Sequence, residues 1–230
     1  MIVCVPSIGR SPYLPDLLTV LLTDPEVDEV HLHDNSGLPE SPALARATSS
    51  PLTAVLIEEA FDTGRLLLRR YEASIYDAWN WSIRVANDIE QTLAVLNDDI
   101  VLTHGSLEVA ESVIPQGWAL VGLNYRAPAH VVDRTMPVLE VSGTYRTGGF
   151  GGFAFVLAPG APLVDSRFRW WFGDDDLAER LKAEGKRLGV HLGAPVDHPE
   201  PSLTGNSEPW TQKAAGEDTV LFRSLWPSAP

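Results

Sequence analysis

Thr92-Leu93-Ala94-Val95-Leu96-Asn97-Asp98-Asp99-Ile100-Val101 is an apolar run that ends in an amide and two adjacent carboxylates. Residues 92–96 read as a buried strand, and the polar end as the carboxyl edge of an open α/β sheet, where ligands bind. Adjacent carboxylates repel unless a cation or protons hold them. A second acidic triplet, Asp174-Asp175-Asp176, follows Trp170-Trp171-Phe172-Gly173, and His198 lies beyond it. Oxygen and nitrogen donors suited to Mn²⁺ or Mg²⁺ therefore recur along the chain. The competing reading of Asn97-Asp98-Asp99 is a polar turn that closes a strand.

Outward from this stretch, strand and helix patterns alternate. Residues 2–6 read as a buried first strand and residues 14–22 as a helix that packs on a sheet. Residues 27–33 alternate apolar and polar positions and run into the turn Asp34-Asn35-Ser36-Gly37. Residues 54–57 read as a third strand, and residues 72–86 carry Ile75, Ala78, Trp79, Ile83 and Ala86 at helical spacing. Residues 118–123 supply another central strand, 124–152 loops and short strands with a Gly-rich end, and 152–157 a return to the core. Residues 174–184 form a helix with an acidic first turn. This order predicts an α/β fold, an open and mostly parallel central sheet with helices on both faces and a smaller irregular region. The expected organisation is one domain over 1–198, in halves of about 1–123 and 124–198. A C-terminal extension over 199–230 packs on it through Val220, Leu221, Phe222, Leu225 and Trp226.

Composition narrows the partners. With 17 basic against 31 acidic side chains among 230 residues, the formal charge of −14 repels a nucleic-acid backbone and anionic membranes. Cys4 stands alone within Ile2-Val3-Cys4-Val5, so it reads as a small core residue rather than half of a disulfide. With no signal-peptide pattern and no apolar run long enough for a bilayer, the expectation is a cytoplasmic protein with no integral membrane segment. Arg outnumbers Lys 14 to 3, which fits a GC-rich bacterial or phage genome.

In this order the segments resemble the A-type fold of nucleotide-sugar glycosyltransferases, especially the large inverting family of bacterial enzymes. Val3-Cys4-Val5-Pro6-Ser7-Ile8-Gly9-Arg10 looks like that family's first strand and nucleotide loop, and His33-Asp34-Asn35-Ser36 like its second-strand end. Ala78-Trp79-Asn80-Trp81-Ser82-Ile83 is similar to its donor-side stretch, Leu96-Asn97-Asp98-Asp99 to its Asp-x-Asp metal motif, and Gly173-Asp174-Asp175-Asp176-Leu177 with Arg180 to its acidic catalytic motif. Val196-Asp197-His198 falls where many members place a late metal-ligand His. Two departures stand out: Asn97 replaces the first Asp of the strict metal motif, and Ser82 stands where Gly is usual.

The resemblance implies a metal-dependent transferase that moves a sugar from a nucleotide-diphosphate donor to an acceptor hydroxyl. The half over 1–123 would hold the donor and the half over 124–198 the acceptor. Asp99 and His198 would hold Mn²⁺ or Mg²⁺. Pro6, Arg10, Asp34, Asn80, Asn97 and Asp98 would line the donor, while Asp175 or Asp174 would act as general base in an inverting displacement. Trp170 and Trp171 offer faces for an acceptor sugar or for packing under the helix. Alternatives are a sugar-phosphate nucleotidyltransferase, which would want a Lys-bearing Gly loop after the first strand, and a non-catalytic sugar- or protein-binding module on the same fold. The sequence leaves the sugar, nucleobase, acceptor and oligomeric state open.

Overall fold

A computed structural model describes residues 1–70, 74–126, 131–144, 149–199 and 209–229. Strand β1 (Ile2–Ser7) leads through helix α1 (Leu14–Thr23) to β2 (Glu29–Asp34), then through α2 (Pro42–Ala47) and α3 (Pro51–Asp62) to β3 (Leu66–Arg70). Helix α4 (Ile75–Asp88) precedes β4 (Leu93–Leu96), β5 (Val101–Leu102), α5 (Ser106–Glu111), β6 (Trp118–Asn124), β7 (Val138–Glu140) and β8 (Ala154–Leu157). The chain closes with α6 (Gly173–Ala183), β9 (Arg187–Asp197) and α7 (Pro209–Leu225). Among the described residues no helix is long and apolar enough to cross a membrane.

The strands form one curled sheet in the order β3-β2-β1-β4-β8-β6-β9-β5, with β7 also on β9. The first four run parallel. Strand β8 is antiparallel to both β4 and β6, while β9 is parallel to β6. Two reversals cancel, so β9 runs in the same direction as β4. Their carboxyl ends, with Asp98 and Asp99 after one and His198 after the other, therefore share one edge of the sheet.

Because side chains alternate along a strand, the sheet feeds two cores. Val3 and Val5, Ala94 and Leu96, Ala154 and Val156, and Ala194 and Val196 pack with α1, α3 and α5. Ile2 and Cys4, Leu93 and Val95, Phe155 and Leu157, and Leu188 and Val190 pack with α4, α6 and α7. The sheet is thus covered on both faces. Burial pushes the Cys4 thiol up to about 12, against an opposing hydrogen bond from Ser82, so it stays a protonated core group.

The expected third strand at residues 54–57 is incorrect: that segment lies inside α3, and the third strand is β3. Ser50 caps the helix by accepting the Thr53 amide, with Pro51 in the first turn. Thr53, Ile57 and Ala60 face inward at spacings of four and three, whereas Leu52 and Val55 are exposed. The apolar run therefore spreads around a helix. Strand β9 runs through Gly189, Gly193 and Pro195. Its register on β6 shifts between Leu123 and Asn124.

The polar side of β2 is buried. Val30 and Leu32 enter one core, while His31 and His33 turn to the other face, under α4. Ser82 Oγ lies 3.0 Å from His31 Nδ1 and 3.0 Å from His33 Nε2, and Trp81 packs edge-on against both rings with Arg69 over its face. Glu29 meets His31 Nε2 at 3.0 Å. A Gly at position 82 would leave both imidazoles without this hydroxyl. Burial, helped by the charges of His31 and Arg69, pushes His33 down to about 3, and burial lowers His31 against the pull of Glu29.

An unfolded His titrates near 6.5, so as pH falls below that value the unfolded chain takes up protons that the folded chain refuses. Stability from this pair is complete above pH 6.5 and should fall by at most about 1.4 kcal/mol per pH unit for each His as the pH drops towards 4.5. Guanidinium unfolding across pH 7.5 to 4.5 checks this. His33→Gln should flatten part of the acid limb, and a wild-type midpoint independent of pH over that range would contradict it.

Candidate active site

The site is built at the shared edge of the sheet. Parallel pairing sets Ser7 opposite Asp34, and β4 delivers Asp98 beside them. Ser7 Oγ donates to Asp98 Oδ2 and in turn accepts the Gly9 amide at 2.9 Å. Ser11 Oγ donates to the Asp98 carbonyl at 2.6 Å. The loop leaving β1 is thereby tied to the end of β4. Burial pushes the Asp98 carboxyl up to about 7; the Ser7 hydrogen bond opposes this, and the charge of Asp99 adds to it.

Asp99 meets a different partner. Antiparallel pairing of β5 with β9 sets Val101 opposite Asp197, which brings the residue after β9 against the residues before β5. His198 Nε2 lies 3.2 Å from Asp99 Oδ1. Both atoms are buried, and neither has a hydrogen-bond partner. The imidazole is immobilised by Phe153, stacked on it at 4.3 Å, and the Phe153 carbonyl accepts the Asn97 amide at 2.8 Å. A carboxylate oxygen and an imidazole nitrogen, both buried and 3.2 Å apart without a hydrogen bond, fit a shared divalent cation. Among the described residues no set of three or more His, Cys, Asp or Glu side chains converges on one point. An ion held by Asp99 and His198 would thus need further oxygens from its ligand or water.

The other donor-side residues are placed as follows. Pro6 is buried in β1, Asn97 is partly buried just past β4, and Arg10 is exposed on the following loop. Asp34 accepts the Ser36 amide at 2.9 Å, the Ser41 hydroxyl, and the Ala43 amide at 3.2 Å. Burial raises its carboxyl, but the Ser36 and Ser41 hydrogen bonds and the two amides outweigh it, and the net shift is downward. Asn80 is buried beneath the sheet, where its amide both donates to the Val164 carbonyl and accepts the Val164 amide, each at 2.8 Å. Both ends of that amide serve packing of the 161–168 segment.

The acidic triplet opens α6. Phe172, at φ +68°, turns the chain into the helix with no side-chain cap. Gly173 follows because the Tyr76 ring fills the adjacent space: a Cβ there would lie 2.0 Å from Tyr76 Cε1. Tyr76 is buried and donates to the Trp170 carbonyl at 3.0 Å. Its phenol is held well above the usual range, by burial first and then by the charges of Asp174, Asp218 and Asp175, against a Gly173 backbone hydrogen bond. Those three carboxylates share one neighbourhood.

Within the triplet the roles divide. Asp176 is fully buried and accepts from Arg180 Nε at 2.7 Å, the Asp165 amide at 2.9 Å and Trp226 Nε1 at 2.8 Å. Asp174 lies against Gly152, where a Cβ would stand 2.1 Å from its Oδ2. Asp175 accepts the Thr144 hydroxyl at 2.6 Å and lines a cavity of about 490 Å³ between α6 and α7, with Phe172, Glu179, Phe222 and Trp226. Gly152 touches Asp174 while Phe153 touches His198, so one dipeptide joins the acidic helix to the Asp99 pair. Gly148, in the Gly-rich stretch, lies outside the described residues.

Several of these residues carry no motif. Ser7 closes β1 and Ser11 sits in the loop after it, Thr144 lies in the irregular region, Phe153 at the return to the core, and Asp218 and Trp226 in the extension. Asp218 leaves a readable trace, an acid at helical spacing from buried Ala214 and Phe222, and Trp226 is among the residues expected to dock the extension.

No family model matches the chain, and no curated protein matches it. Among solved structures it is similar to the mannosyltransferase PcManGT from Pyrobaculum calidifontis in complex with GDP-Man and Mn²⁺, with a TM-score of 0.64 and 13% sequence identity. The match covers 100% of this chain and 64% of that one. The chain has the fold of a glycosyltransferase and spans less than two thirds of the neighbour's length.

Proposed function

We propose that this chain is a metal-dependent glycosyltransferase that moves a sugar from a nucleotide-diphosphate donor to an acceptor hydroxyl, with inversion. The observation that carries this reading is the buried Asp99 and His198 pair at the carboxyl edge of the sheet, in a fold shared with a transferase solved with GDP-Man and Mn²⁺. Asp99 and His198 would hold Mn²⁺ or Mg²⁺. When bound, such an ion stabilises negative charge on a departing diphosphate as a Lewis acid.

The chain's own residues do the rest. Ser7 and Ser11 fix Asp98 at the donor side, where Pro6, Arg10, Asp34 and Asn97 would line the donor, and Asn80 of α4, its amide engaged by Val164, would support that side from below. Asp175, oriented by Thr144 on the cavity wall, accepts the proton of the acceptor hydroxyl as its oxygen bonds to the anomeric carbon and the bond to the diphosphate breaks. Asp174, held against Gly152, is the neighbouring candidate for that base. Residues 1–123 form the donor half, 124–198 the acceptor half, and the extension packs on the second.

Thermal shift tests the donor side. Mn²⁺ with GDP or UDP should raise the melting temperature of wild type, by the equivalent of about 2.7 kcal/mol at a hundredfold excess over Kd. EDTA, Asp99→Ala or His198→Ala should remove the Mn²⁺-dependent part. An equal shift in wild type and Asp99→Ala would overturn the metal assignment.

Asp175→Asn should keep that shift and lose about 10²- to 10⁴-fold in transfer rate, the usual worth of a general base. Undiminished transfer in Asp175→Asn, with Asp174→Asn inactive, would move the base to Asp174. Pyrophosphate release from a nucleoside triphosphate would instead identify a nucleotidyltransferase.

A further inference from the structure

Helix α7 carries an acid where its pattern calls for an apolar residue. Asp218 lies on the inward face with Ala214 and Phe222 and is 1% exposed. Its carboxylate accepts three consecutive backbone amides: Arg169 at 3.1 and 3.2 Å, Trp170 at 2.8 Å and Trp171 at 2.8 Å. The chain before α6 is curled around this one anion. Converging amide dipoles of this kind stabilise a buried negative charge without a cation.

Two further contacts lie along the same helix. Phe222 stacks on Phe172, with ring centroids 5.0 Å apart and planes inclined by 23°. Just past the helix, Trp226 Nε1 donates to Asp176 Oδ1 at 2.8 Å. The extension therefore grips the segment from Arg169 to Asp176 at three points: before, at and after Phe172. Phe172 is held at φ +68°, a left-handed conformation that L-residues rarely adopt, and it begins α6 without a capping side chain. The direction in which α6 starts, and with it the aim of Asp174 and Asp175, is set from outside that helix.

We propose that α7 is a latch, and that Asp218 and Trp226 are positioning residues that hold Trp170 to Asp176 so that the Asp175 carboxylate faces the cavity. What that carboxylate then does rests on the transferase reading; the latch itself is a statement about geometry. The two can be tested apart.

The experiment uses the full chain and three variants: Asp218→Asn, Trp226→Phe, and Val220→Ser on the exposed side of α7 as a control. Amide hydrogen exchange is read over residues 169–177 and over β1 to β4. Both latch variants should exchange at least about tenfold faster over 169–177, the order expected for loss of a hydrogen bond to a charged group, with β1 to β4 unchanged and Val220→Ser like wild type. With Mn²⁺ and a nucleotide sugar, kcat should fall at least about tenfold while the donor KM and the Mn²⁺-nucleotide thermal shift stay the same.

Trp226→Phe keeps an aromatic ring at that position while removing the N–H together with part of the indole, so it reports even if Asp218→Asn does not fold. Unchanged exchange over 169–177, uniform loosening of the whole chain, or local loosening with full kcat would each overturn the latch. A wild type that turns over no nucleotide sugar would defeat the transferase reading, and the exchange pattern would still decide the latch.

Discussion

A carboxylate oxygen and an imidazole nitrogen, both out of water and 3.2 Å apart without a hydrogen bond, form the constraint around which this structure is arranged. Leaving both unsatisfied carries a desolvation cost that native interiors rarely accept, and on that ground the pair is the proposed place for a cation. The surrounding chain serves that geometry. Phe153 fixes the imidazole plane, the β5 and β9 register brings His198 to Asp99, and Ser7 keeps Asp98 engaged on its other side.

The chain carries 31 acidic residues and only 17 basic ones, and it buries several of its acids. Most of these are held by dipoles rather than by cations. Hydroxyls and amides surround Asp34, three backbone amides surround Asp218, and Asp98 is met by Ser7. Asp176 has the one buried ion pair of this group, with Arg180, and still takes an amide and an indole N–H. Fixed dipoles neutralise a carboxylate locally and leave no mobile positive charge behind, which keeps the acidic character of the site edge intact. Asp99 is the exception among them, and that is what makes it the ligand candidate.

Local pattern was a sound guide where a segment packs by one rule. Strands β1 and β4, the spacing of Ile75, Ala78, Trp79 and Ile83 in α4, and the acidic first turn of α6 were legible because their burial follows a strand or helix period. It misled at Ala54 to Ile57, where a short apolar run satisfies either period and only the Ser50 cap and the inward Thr53, Ile57 and Ala60 choose the helix. The alternation in β2 was legible, whereas only the structure shows that α4 covers its polar side and buries His31 and His33.

Residue type and short-range period thus establish the inventory: an alternating α/β chain with two acidic clusters and a late His. Which of these groups meet is settled by the folded arrangement. Asp99 faces His198 because two antiparallel steps in the sheet cancel, and Asp176 is spent on Arg180 and Trp226 while Asp175 lines the cavity. Asp218 becomes the anchor of a loop on another element. These pairings join residues far apart in the chain, and their energy lies in desolvation and hydrogen-bond direction. Both depend on the final placement of neighbours rather than on any local pattern.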